Sequence, residues 1–181
     1  MLQQLFTAAD AAVVGRFAGK AALAAVGSNT ALVNLIINMF IGLTIGTSVL
    51  VARYIGSGEK EKITKTVHTS ITVAAISGVL LVFIGWFASK QMLQWMDTPS
   101  DVIDLATIYL RIYFCGMPFA MVYNFGAAIL RAQGDTKRPL YFLSIAGVVN
   151  VVFNLFLVIV MHMDVAGVAI ATITSQYISA L

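Results

Sequence analysis

The chain has 181 residues, of which 60% are apolar and 10% charged, with a formal net charge of +3. Soluble domains carry about 25% charged residues, so a soluble globular enzyme is excluded. Intrinsic disorder, which needs low hydrophobicity and high charge, is excluded as well.

Six apolar segments are predicted, over 1–15, 30–52, 67–88, 101–130, 139–161 and 165–181. Blocks of about 18 or more apolar residues read as membrane-spanning helices. The fold class expected is therefore all-α, a polytopic transmembrane bundle of about six helices forming one unit over 1–181. The first and last segments are short for a hydrocarbon core of about 30 Å. On that ground the chain is expected to be a fragment, with the alternative that these two helices lie tilted in the interface. No basic n-region or cleavage site of a signal peptide precedes the first segment.

The stretches 53–65 and 131–139 hold seven of the eleven basic residues. Arg16, Lys20 and Lys90 fall in the connections expected on the other side, and Arg111 lies within the fourth segment. Positive charge is retained on the cytoplasmic side, which predicts a cytoplasmic N-terminus and a multi-pass protein of the plasma (cell inner) membrane. The cations do not form one patch, so no nucleic-acid partner is expected.

Local signals agree with helices. Gly56 and Gly58 act as a stop after the second segment. Ser100 or Asp101 is placed to cap the fourth, and Asp135 or Thr136 the fifth, with Pro139 in its first turn. Pro118 should kink the fourth segment because it removes a backbone donor. Gly42 and Gly46 form a small-residue pair expected to let helices approach closely. The lone cysteine, Cys115, reads as a small core residue.

Asp10 is the one acid inside the apolar stretch 5–14. A carboxylate at membrane depth is costly unless it faces a cavity, pairs, or binds a proton or cation. It is the first candidate for a coupling group. Asn150 and Asn154 share a helix face at i,i+4; they fit either a cation site, through their carbonyl oxygens, or helix–helix hydrogen bonding. Thr172 and Gln176 share a face in the sixth segment, and Asn34 and Asn38 in the second, with the same two readings. Met117 and Met121 in the fourth segment fit either an adaptable apolar cavity wall or plain packing. Arg111 is expected to snorkel toward the outer interface. His68 and His162 are isolated, and no metal site is expected. No Walker sequence, Cys/His cluster or G-x-S-x-G is present, so no enzyme and no organic cofactor are expected.

Four stretches together resemble one family: 7–17 (TAADAAVVGRF), 22–27 (ALAAVG), 130–139 (LRAQGDTKRP) and 165–172 (VAGVAIAT). They are similar to the multidrug and toxic compound extrusion (MATE) transporters, in the same order. The resemblance implies the N-terminal half of a twelve-helix antiporter that exports organic cations and drugs in exchange for H+ or Na+. Its partners would be membrane lipid, a drug-like substrate, and the C-terminal lobe or a second copy. Asp10 matches the family's acid of the first helix, with Na+ held there as one option. Asn150 and Thr172 match its ion-site Asn and Thr. Asn154 stands where that site carries an Asp, which removes a carboxylate and weakens sodium coordination. Alternatives are a lipid-linked saccharide flippase of the same superfamily, or a non-transporting truncated membrane protein.

Overall fold

The computed structural model describes residues 11–181, all of them in helices or short connections; among them there is no strand. Asp10 lies outside the described residues. Residues 11–17 are helical. They lead into α1 (Gly19–Gly56), α2 (Lys60–Trp95), α3 (Ile103–Cys115), α4 (Met117–Ala132) and α5 (Lys137–Leu155). A π-helical turn, Phe156–Val160, continues α5, and α6 spans Asp164–Ala180. α1, α2 and α5 with its π turn are long and apolar enough to cross a membrane, and α3 and α4 together make a fourth span bent by 49°.

Two helices begin well before their apolar cores. Residues 16–29, expected as a connection, are helical apart from a break at Ala18 and Gly19, where Gly19 takes φ +88. Ala21, Ala22, Ala24 and Ala25 explain this, since alanine is the strongest helix former whatever its hydropathy. α2 starts at Lys60 rather than near 67 because its charged first turns are helix-compatible. Glu59 pairs with Lys62, and Glu61 with Lys65 at 2.6 Å, at spacings that stabilise a helix surface. The Lys62 ammonium, and then the Ser57 hydroxyl, hold the Glu59 carboxyl below its ordinary value. Between the two helices Gly58 adopts φ +73, which only glycine takes without steric cost.

The fourth segment is two helices rather than one. The break is at Gly116, whose N–H bonds Tyr113 O at 3.0 Å, while Phe119 and Ala120 donate to Gly116 O at 3.1 Å. Pro118 has no N–H to continue the ladder, so the bend forms where the sequence places the missing donor. The bend is seated on α2. A Cβ at Gly78 would lie 2.4 Å from Pro118 Cα, and one at Gly85 2.1 Å from Phe114 Cγ. Gly42 and Gly46, expected to provide close packing, have nothing within 4 Å of their Cβ positions. The close approach is made by α2 instead.

The caps also differ in part. Neither Ser100 nor Asp101 caps α3; Pro99 O accepts from Val102 and Ile103 N–H at 3.1 Å. Asp135 does cap α5, where Oδ1 accepts from the N–H groups of Lys137 and Arg138 at 3.1 Å.

The core gathers Leu93, Leu110, Phe114, Met117, Met121 and Val168. Large apolar residues such as Leu80, Phe83 and Phe87 of α2 are exposed, as lipid-facing positions of a span must be. Asn29, fully buried in α1, donates from Nδ2 to Ala25 O at 2.9 Å and across to Ala106 O of α3 at 3.0 Å. Asn29→Ala should destabilise the protein by about 1 kcal/mol, the usual size of an interhelical hydrogen bond in a membrane. A thermal unfolding midpoint unchanged from wild type would show that this bond contributes nothing.

Candidate functional site

A cavity of about 560 Å3 lies between α1, α3, α4, α5 and α6; α2 contributes nothing to its lining. Each of these helices supplies polar groups. α1 presents Asn34 and Asn38, both exposed, at i,i+4. α3 presents Tyr109 and Tyr113, whose rings stack with centroids 6.0 Å apart. α4 adds Tyr123 and Asn124, α5 adds Asn150, and α6 adds Thr172, Ser175, Gln176 and Ser179. None of the described lining residues is charged.

Most hydroxyl protons here are already committed to backbone. Thr172 donates to Val168 O at 2.9 Å, Ser175 to Thr172 O at 2.7 Å and Ser179 to Gln176 O at 2.8 Å. Tyr123 donates to Pro139 O at 3.0 Å, tying α4 to α5. What is left over is acceptor capacity. Asn150 is 4% exposed, and its Oδ1 has no partner among the described residues; the same holds for Gln176 Oε1. Gln176 is fixed by the bend, since its Oε1 occupies the space a Cβ at Gly116 would take. A buried amide oxygen without a donor is costly. Such oxygens suit a hydrogen-bonding solute or a hard cation.

The structure thus brings five of the sequence-selected residues to one cavity: Asn34, Asn38, Asn150, Thr172 and Gln176. It leaves others apart. Asn154 is fully buried one turn beyond Asn150 and is not on the lining. Met117 and Met121, which fit either a cavity wall or plain packing, follow the packing alternative and are 0% exposed in the core. With Phe125 they form the i, i+4, i+8 stripe that α4 packs inward, so the face with Tyr123 and Asn124 is the one turned to the cavity. Sequence reasoning missed Tyr109, Tyr113 and Asn124. The i,i+4 tyrosine pair is a signal that could have found the first two; a single Asn on a span offered none. No group of three or more His, Cys, Asp or Glu side chains suited to a metal occurs among the described residues.

Comparison with known proteins gives a consistent result. The sequence model of the MatE family matches residues 1–156. The chain is 35% identical over 166 residues to "Probable multidrug resistance protein YoeA" of Bacillus subtilis (strain 168), covering 90% of this chain and 36% of that protein. It is 32% identical over 182 residues to "Probable multidrug resistance protein YpnP" of the same organism, covering 99% of this chain and 40% of that one. A crystal structure of MATE in the bent conformation superposes with a TM-score of 0.93 at 28% identity, over 99% of this chain and 40% of the other. The chain thus spans well under half the length of these relatives.

Proposed function

We propose, from the premise that this chain belongs to the MatE family, that it forms the cavity-bearing lobe of a cation-coupled exporter of drug-like solutes. The observation that carries the reading is the cavity of about 560 Å3, whose polar lining includes Asn150, a buried residue with an unpartnered Oδ1. Amide and tyrosine groups let such a wall hydrogen-bond varied solutes and stack on planar ones.

In this reading Asp10 carries the exchangeable charge, and Asn150, Asn154 and Thr172 orient it and hydrogen-bond its ion. A proton is the favoured coupling ion over Na+, because position 154 holds an amide rather than a second carboxylate. Transport would follow from rocking this lobe against a second lobe, or a second copy, around the cavity. The membrane would be the plasma (cell inner) membrane with the N-terminus cytoplasmic. In support, the helix order puts the α1–α2 and α4–α5 connections, whose flanking helix ends carry most of the cations, at one end of the bundle. A lipid-linked saccharide flippase would need cations on the cavity wall, and the described lining has none.

The test is dye efflux from cells making the native gene product. Asn150→Ala should reduce efflux about tenfold, the equivalent of one buried hydrogen bond of roughly 1.4 kcal/mol, at unchanged protein level. Wild-type efflux by that variant would remove Asn150 from the site. No efflux above vector control by the unmutated protein, with any cationic or neutral dye tried, would count against the exporter reading itself.

A further inference from the structure

We propose that Arg111, with Trp86 and Lys90 beside it, binds the headgroup phosphate of an anionic phospholipid in the leaflet on the side of the α2–α3 connection.

The guanidinium belongs to α3, inside a membrane span. Its environment does not neutralise it. Among the described residues Arg111 makes no ion pair or hydrogen bond; its one partner is the Trp86 ring of α2, 5.6 Å from the guanidinium carbon. Its Nε is buried and unbonded, which leaves the terminal nitrogens as the groups that reach the surface. The nearest acid toward the end of its own helix, Asp104, is held by Lys90 of α2 at 3.0 Å. A cation of this kind at membrane depth requires an anion or water.

The location selects the anion. Arg111 is seven residues past Asp104, about 10 Å into the span at 1.5 Å per residue. Side chains on a helix lean toward its N-terminus, so Arg111 reaches back toward the α2–α3 connection, where that leaflet's phosphates lie. Ile108, one turn earlier on the same face, is 47% exposed, and Trp86 is 53% exposed. Protein therefore leaves this groove open to lipid. Tryptophan is at home at headgroup level, and it fixes the guanidinium by cation–π contact. The planar fork then matches two phosphate oxygens. Lys90, half-exposed four residues along α2, lies on the headgroup side with its charge shared with Asp104. This site is separate from the cavity, whose lining includes none of the three residues.

The experiment uses the native gene product purified in a neutral detergent. Native mass spectrometry and thermal unfolding would be followed on adding phosphatidylglycerol, phosphatidylcholine or inorganic phosphate. The expected result is retained phosphatidylglycerol and a raised midpoint, weaker effects of phosphatidylcholine, and none from inorganic phosphate. Arg111→Gln should weaken phosphatidylglycerol binding about tenfold, as for one charge-assisted hydrogen bond. Trp86→Leu, at an exposed position that leaves the core intact, should weaken it less. Should Arg111→Gln fail to fold, Arg111→Lys retains the charge without the fork and should bind with intermediate strength. Equal phosphatidylglycerol binding by wild type and the substituted proteins would overturn the site. Equal stabilisation by inorganic phosphate would overturn the assignment to lipid.

Discussion

Gly78→Val is expected to prevent the native gene product from accumulating as a folded protein, while Gly126→Ala leaves its yield unchanged. At Gly78 even a Cβ would lie 2.4 Å from Pro118 Cα and 3.0 Å from Pro118 N. Both are backbone atoms of the bend between α3 and α4, so no side-chain rotation relieves the contact. Overpacking a core usually costs about 1–3 kcal/mol and occasionally more. Here the displaced element is a helix break that seats Gln176 at Gly116, so the effect should be at the upper end or beyond. Gly126, on α4, has nothing within 4 Å of its Cβ position. The readout is monodisperse protein after detergent extraction. A Gly78→Val protein with wild-type yield and midpoint would mean that α2 and the bend are less tightly joined than the structure shows.

Asp10→Asn in the native gene product is expected to bring coupled efflux down to the level of cells without the transporter. The substitution preserves size and hydrogen bonding but removes the one charge that the apolar stretch 5–14 contains. Without it the proposed exchange has no site to load, because the described cavity lining offers only neutral groups. Asp10→Glu, which keeps the carboxyl one methylene further out, should retain part of the activity. Efflux of normal rate by Asp10→Asn would leave the coupling group unidentified and would withdraw the role given to Asp10. A loss of protein from the membrane in that variant, with Asp10→Glu normal, would instead identify a structural need for the charge.

Much of the fold is legible from hydropathy alone. Spans of this length and composition have few alternatives, since lipid offers backbone groups no partners and a helix satisfies its own. The bend in the fourth segment is legible for a similar reason, because Pro118 removes a donor wherever it lies in a helix. Helix starts are less legible. Alanine and paired charges extend α1 and α2 beyond their apolar blocks, and hydropathy does not register either effect.

The candidate site divides along the same line. Helical spacing was enough to put Asn34 with Asn38, and Thr172 with Gln176, on shared faces. It did not say that these faces meet, nor that Asn150 joins them while Asn154 stays in the core. Met117 and Met121 show why. On a soluble helix the apolar stripe marks the inside, but a membrane span is apolar on both its lipid and its core faces. Composition therefore carries no contrast that tells a packed methionine from one lining a cavity. Small residues have the same ambiguity: Gly42 and Gly46 look like a packing motif but have open space at their Cβ positions, whereas Gly78 and Gly85 bear the close contacts.

The sequence by itself determined that this protein is a bundle of membrane helices, that its cations concentrate in two short stretches, and that a few amides lie within spans. Those are properties of single segments, set by transfer free energies and the backbone's need for hydrogen bonds. Only the tertiary structure decided which helix faces enclose the cavity, which amide oxygens remain without donors, and that Arg111 meets Trp86 and no carboxylate among the described residues. Those depend on contacts between segments distant in the chain, where shape and not polarity selects the partner.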